Sequence, residues 1–336
     1  MRIGTVSDLA SILAFIILII SGCGGGSSTG VDTNRDSTDE WTVLSSMPTA
    51  RSELGVASVN GKIYAIGGIS ASTLPDVEEY DPLTDSWTRK ANMPTARRLM
   101  VVAAVNDKIY VIGGVDGTNP NSITYTNVTE EYDPSTDTWS TKSPFPIGSA
   151  SNNVLGNQYI GGAAANGKIY IVNFNATGFS TESPTYIYDP LSDTWETGSP
   201  IPYAGSRYSV AALNNVIYVY ASGKFVKYDE ASDVWLLVPS PNEQRRHAQI
   251  VAATSKIYAV GGIAIDSDNN YLDVLSVVEE FEPSTETWTY VQSMPTARHS
   301  NGLVAIDGDI YVIGGSDIPS FYTPAALDCA EVRNLE

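Results

Sequence analysis

Six tryptophans divide this chain at nearly even steps. They are Trp41, Trp87, Trp139, Trp195, Trp235 and Trp288, spaced by 46, 52, 56, 40 and 53 residues, and the sequence has no others. A period near ~50 residues means stacked supersecondary units, because one such unit cannot bury its apolar face without the next. Other landmarks keep step. A turn and an apolar residue precede Tyr64, Tyr110, Tyr170, Tyr218, Tyr258 and Tyr311. Glycine doublets follow four of these tyrosines, at Gly67-Gly68, Gly113-Gly114, Gly261-Gly262 and Gly314-Gly315. Acidic-aromatic elements such as Glu78-Glu79-Tyr80-Asp81-Pro82 precede five of the tryptophans, and Met-Pro-Thr-Ala-Arg recurs at 47–51, 93–97 and 294–298.

Short β-branched runs bounded by Asn-Gly or Gly-Gly, such as Ile63-Tyr64-Ala65-Ile66, read as strands joined by tight hairpins. No helical period survives past residue 20. These residues resemble the kelch motif over 41–336. The resemblance implies an all-β, six-bladed kelch-type β-propeller. A closed ring removes most exposed sheet edges. The chain opens with an orphan strand at Trp41-Thr42-Val43 and ends with a three-strand unit, 299–336, that has no tryptophan after it. The N-terminal strand near Trp41 should therefore complete the last blade. Blades 3 and 4 depart from the pattern, with Val172-Asn173 and Ala221-Ser222-Gly223 where a doublet is expected.

The first residues are an address. Leu9 to Ile20 is an apolar run too short to span a bilayer, which needs about 20 helical residues, but suited to a signal-peptide h-region. Ile20-Ser21-Gly22-Cys23 resembles a lipoprotein lipobox. That resemblance implies a signal peptide over 1–22 and lipid on Cys23, which would then anchor the chain to a membrane. Residues 24–40 are rich in Gly, Ser, Thr and Asp and read as a flexible tether with a reach of roughly 20–25 Å. With Cys23 lipidated, Cys329 is the one remaining thiol, expected as a buried structural cysteine. The expected location is the cell envelope, on the outer membrane or cell surface, facing away from the cytoplasm.

Composition narrows the function. The formal charge of −19 repels phosphate backbones, so nucleic acid is not an expected partner. Two cysteines cannot assemble a four-cysteine zinc site, and with Cys23 lipidated one cysteine and two histidines fall short of the two-cysteine, two-histidine kind, so no metal or other cofactor is expected. P-loop, dinucleotide-binding and G-x-S-x-G signatures are absent. Asp266-x-Asp268-x-Asn270 lacks the glycine and the glutamate of a calcium loop and reads as an Asx turn.

In a repeat protein, residues that break the pattern at a recurring slot are the better functional candidates. The slot 13 residues before each landmark tyrosine holds Arg51, Arg97, Asn157, Gly205, Arg245 and Arg298. It reads as structural, with each guanidinium bonding carbonyls between blades. The next two slots vary. They hold Ser52, Arg98, Gln158, Ser206, Arg246 and His299, then Glu53, Leu99, Tyr159, Arg207, His247 and Ser300. By the kelch resemblance they lie near the mouth of the central channel. Arg98, Arg207, Arg246, His247, His299, Tyr159 and Glu53 are the ligand-binding candidates. Loops expected on the same face carry Tyr125, Phe179, Tyr271, Phe321 and Tyr322, aromatics suited to sugar or peptide stacking. Arginines beside aromatics should select a carboxylate.

The expected function is a monomeric, lipid-anchored interaction module that binds a protein or glycan on its loop-bearing face. No catalytic signature favours an enzyme. The alternative is a sugar-modifying enzyme similar to periplasmic sialic-acid epimerases, which also have six kelch blades and an export signal. Glu53 or His247 would then be the base and Arg207 or Arg246 the clamp. A copper radical oxidase resembling galactose oxidase is disfavoured, because its site needs a Tyr-Cys crosslink and two histidines.

Overall fold

The structure is a computed structural model, and it describes residues 40–117, 124–146, 160–173, 182–202, 207–266, 268, 270–319 and 325–335. Signal, tether and Cys23 lie outside the described residues, as do Tyr159, Phe179, Phe321 and Tyr322. Among the described residues the regular elements are all strands, and six antiparallel four-stranded sheets form the body. Blade 1 comprises Gly55–Val59, Lys62–Ile66, Val77–Asp81 and Ser86–Arg89. Blade 2 comprises Val101–Val105, Lys108–Ile112, Thr129–Asp133 and Thr138–Lys142. Blade 3 comprises Ile160–Ala165, Lys168–Asn173, Ser183–Asp189 and Thr194–Ile201. Blade 4 comprises Ser209–Leu213, Val216–Ala221, Lys224–Asp229 and Val234–Val238. Blade 5 comprises Gln249–Ala253, Lys256–Val260, Val278–Glu282 and Thr287–Val291.

Blade 6 closes the ring. Gly302–Ile306, Asp309–Ile313 and Ala330–Arg333 come from the C-terminal end, and Trp41–Leu44 supplies the outer strand. Trp41 pairs with Arg333 and Leu44 with Ala330, antiparallel. The first strands of successive blades touch in turn around the ring, including those of blades 6 and 1.

The core is divided among the blade-to-blade seams. Tyr64, Ile66 and Val77 of blade 1 pack with Ile109, Val111 and Tyr132 of blade 2. Across the closing seam, Tyr311, Ile313 and Val332 meet Ile63, Ala65 and Tyr80. Each tryptophan also ties its blade to a preceding segment. Trp41, Trp87, Trp139, Trp195, Trp235 and Trp288 donate their indole N–H to the carbonyls of Gln292, Ser45, Ala91, Ser143, Ser199 and Pro239, at 2.8–3.1 Å. A bond of this kind contributes about 1 kcal/mol net, and more is lost if a buried carbonyl is left unmet.

The arginine slot corrects the sequence reading. Arg51, Arg97, Arg245 and Arg298 are fully buried, but their guanidinium groups turn into their own blade. Each meets a buried glutamate on the third strand. The Arg51–Glu78 and Arg97–Glu130 pairs close at 2.8 Å and Arg298–Glu331 at 2.7 Å, and Arg245 pairs with Glu279. Carbonyls of the same blade satisfy other donors, as Ala65 and Asp76 do for Arg51. The bond between blades uses the arginine main chain instead: Gly68, Gly262 and Gly315 donate N–H to the carbonyls of Arg97, Arg298 and Arg51. This explains the doublets. At Gly67 (φ 59°) a Cβ would sit 2.5 Å from the Arg97 oxygen, and at Gly68 (φ 99°) 2.8 Å from the Ser52 oxygen. Only glycine permits both the conformation and the approach.

Cys329 is fully buried, but it is disulfide-bonded and not the lone thiol expected. Among the described residues no helix is long and apolar enough to cross a membrane.

Candidate functional site

The two variable slots open onto the axis of the ring. A cavity of about 180 Å³ is lined from the first strand of every blade and includes Glu53, Leu99, Arg207, His247 and Ser300. These five share a left-handed backbone, with φ of 54°, 55°, 52°, 58° and 52°. Non-glycine residues rarely adopt it, and it costs of order 1–3 kcal/mol. The geometry here is pinned by hydrogen bonds on both sides. Glu53 N–H donates to the Ser300 carbonyl at 2.8 Å, and Leu99 N–H to the Glu53 carbonyl at 3.1 Å, passing from blade to blade. One residue earlier, Ser52, Arg98, Arg246 and His299 bridge in antiparallel fashion to Ile69, Val115, Ile263 and Ser316, the residues just after the glycine doublets. The repeat thus fixes the backbone of both slots and leaves their side chains free to differ.

Glu53 is the centre of the cluster and is 8% exposed. Its Oε2 accepts from Arg98 of blade 2, and its Oε1 accepts from Arg207 of blade 4 at 3.0 Å. Burial alone would raise this carboxyl, but Arg207 and Arg98 outweigh burial and hold it below the usual glutamate range. Arg98 also donates to the Gly117 carbonyl. The arginines expected to await a ligand's carboxylate therefore already share one from the protein.

The histidines lie together, with ring centroids 6.2 Å apart. His299 is buried. Its Nε2 donates to the Ile318 carbonyl at 2.8 Å, which leaves Nδ1 to accept from the Ser300 hydroxyl at 2.9 Å. His247 Nε2 lies 2.9 Å from the Tyr271 hydroxyl. Burial is the main cause that lowers the pKa of both imidazoles, and the charge of Arg207 adds to it. Both are neutral at pH 7. Arg246 lies 6.0 Å from the centre of the Tyr271 ring.

The structure thus brings Glu53, Arg98, Arg207, Arg246, His247 and His299 to one mouth, from blades 1, 2, 4, 5 and 6. Tyr159 lies outside the described residues. Of the loop aromatics, Tyr125 is buried in a small hairpin formed by Val115–Asp116 and Thr124–Tyr125, so it offers no stacking face. Tyr271 is 40% exposed at the mouth. Asp266 forms the expected Asx turn, accepting from the N–H groups of Asp268 and Asn270. No group of three or more His, Cys, Asp or Glu among the described residues is placed to hold a metal. Two lining residues escaped the sequence reading. Ser209 and Gln249 sit two positions after Arg207 and His247, where the other blades carry Gly55, Val101, Gly161 and Gly302. The rule that singled out the mouth arginines would have found them two positions further along the strands. The Ser209 hydroxyl donates to Gln249 Oε1 at 3.2 Å.

Comparison with known proteins agrees with this architecture. Residues 27–238 match the FKB95, Kelch-repeats domain family, and residues 244–295 match the Kelch motif. Kelch-like protein 36 of Bos taurus is 27% identical over 145 residues, covering 40% of this chain and 23% of that protein. Kelch repeat and BTB domain-containing protein 1 of Cowpox virus is 31% identical over 137 residues, covering 38% and 23%. The chain thus spans less than a quarter of the length of these relatives. The solved structure of YjhT superposes with a TM-score of 0.67 at 16% identity, covering 85% of this chain and 95% of that one, a likeness of fold. This chain belongs to the kelch-repeat family, and its fold is a kelch β-propeller.

Proposed function

We propose that this protein is a lipid-anchored propeller of the cell envelope that binds a protein or glycan ligand at the mouth of its channel. Kelch domains are generally interaction modules, and the relatives support that coarser reading. One observation carries the site: five blades send chemically unlike side chains to a single cavity of about 180 Å³, while the repeated residues are spent inside the scaffold. The test is a glycan array and a pull-down from envelope extract, with Arg207→Ala and Arg246→Ala. Each substitution is expected to weaken binding at least ten-fold; untouched binding would place the ligand on another face. The anchor is tested separately. A lipid thioether and a disulfide to Cys329 are exclusive fates for Cys23, so the intact mass of the membrane-extracted protein decides between them.

A second reading, a sugar-modifying enzyme, draws on the neutral His247 beside Arg207. Both candidate bases are weakened, Glu53 by two guanidinium groups and His247 by burial. Incubation with N-acetylneuraminate followed by NMR of the anomeric mixture tests this reading, and an unchanged mutarotation rate removes it.

A further inference from the structure

We propose that the Glu53–Arg207 ion pair bars the channel mouth, and that the ligand is an anion whose carboxylate takes Arg207 from Glu53. The inference rests on the mouth being the ligand site and adds the ligand's charge and its mode of entry.

Glu53 and Arg207 are 154 residues apart and belong to blades 1 and 4. In a ring of six these blades face each other, so the pair crosses the opening instead of skirting it. Both side chains are largely buried, at 6% and 16% exposure. Val56 and Val210 line the same cavity three residues further along the two strands. At a rise of ~3.3 Å per residue they lie about 10 Å deeper. A charged bar therefore spans a throat lined below it by Val56 and Val210 together with Ser209 and Gln249.

The exchange leaves no charge stranded. Glu53 uses one oxygen for each arginine, so losing Arg207 leaves it paired with Arg98. Two guanidinium groups against one carboxylate leave one positive charge at the bar, and Arg246 stands at the same mouth. Burial keeps both histidines neutral. Segments 118–123, 147–159, 174–181, 203–206 and 320–324 contain no charged residue. An anionic group meets that surplus, whereas a cation adds to it. In a protein of net charge −19, this is a local reversal of sign.

The bar can be tested without knowing the ligand. A thiol is placed in the throat by Val56→Cys. Its labelling by methanethiosulfonates with an anionic sulfonatoethyl or a cationic trimethylammonioethyl group is timed against the parent chain. With Glu53 present, both reagents should react slowly. Glu53→Gln should speed the anionic reagent at least ten-fold and favour it over the cationic one, because both arginines are then unopposed. Arg207→Gln should also open the throat, but with a weaker preference for the anionic reagent than Glu53→Gln, because Glu53 and Arg98 still cancel. It serves as the second variant if Glu53→Gln melts. Unchanged rates in both variants overturn the bar, and equal acceleration of both reagents in Glu53→Gln overturns the anion site. A blank glycan array and pull-down would remove the binding face and leave the labelling result standing.

Discussion

Blades 1, 2, 5 and 6 each contain a buried arginine–glutamate pair; blades 3 and 4 have neither partner. Where the arginine slot changes to Asn157 and Gly205, the facing positions on the third strand are Tyr186 and Val226. Acid and base disappear together. An isolated buried charge is far costlier than an apolar replacement of the whole pair. In blade 3, Tyr186 stacks edge-on against the buried Phe145 with centroids 5.1 Å apart. In blade 4, Val226 joins the seam with blade 3, where the Tyr208 and Ser183 hydroxyls meet. Two solutions to the same packing problem thus coexist in one ring. The glycine doublet does not follow the pair: blade 2 keeps Gly113-Gly114 although the next blade has no arginine in the slot, and blade 4 lacks a doublet although Arg245 comes next. Blade 4 turns at Ser222-Gly223 (φ 50° and 74°) and raises no loop beside Arg207.

The largest expected effect comes from breaking one pair. Arg298→Met should destabilise the fold by about 3–5 kcal/mol in urea unfolding, since Glu331 is left buried and unpaired. Adding Glu331→Leu should recover most of that loss, as blades 3 and 4 already do naturally. If the double variant is no better than the single one, the comparison fails.

The mouth should show its own pH signature. His247 and His299 have lowered folded pKa values, so the unfolded chain binds more protons as pH falls below the ordinary histidine value of about 6.5. Stability should therefore be full above that value and fall below it, by up to about 1.4 kcal/mol per pH unit for each histidine. His247→Asn, which tolerates the left-handed backbone, should flatten the slope by up to half. A slope that survives in the variant would shift the effect away from His247. In stronger acid, protonation of Glu53 should remove further stability, because its folded pKa is also depressed and its contribution vanishes as pH drops through that value.

Smaller effects check what both blade types share. Trp87→Phe and Trp235→Phe should each cost about 1 kcal/mol in hydrogen bonding beyond the packing change, because the indole bond is the same in a paired and an unpaired blade. A marked inequality would mean that blade 4 leans on its tryptophan to make up for the missing pair. Asp266→Ala, on an exposed turn, should shift stability by less than about 0.5 kcal/mol.

Much of this was legible in the residues. Trp spacing, Asn-Gly hairpins and the orphan first strand led to six blades and their closure, because such signals are local or concern adjacent repeats. The arginine slot was legible as structural, but its glutamate was not, since Glu78 lies 27 residues from Arg51 and stood only as part of the acidic-aromatic element before the tryptophan. Ser209 and Gln249 were visible as breaks in a pattern two positions past the slots compared. Tyr125 looked like a loop tip and is 3% exposed, because a two-strand hairpin folds it inward.

The chain's repeat alone determined what each blade is made of and that the ends must meet, since a periodic sequence encodes its nearest-neighbour contacts in every copy. It did not determine what faces what across the opening. Glu53 reaches Arg207 only after two blades have been stacked on either side and the ring has closed. That distance is set by the summed rotation of all six sheets, a property that no single copy of the motif contains.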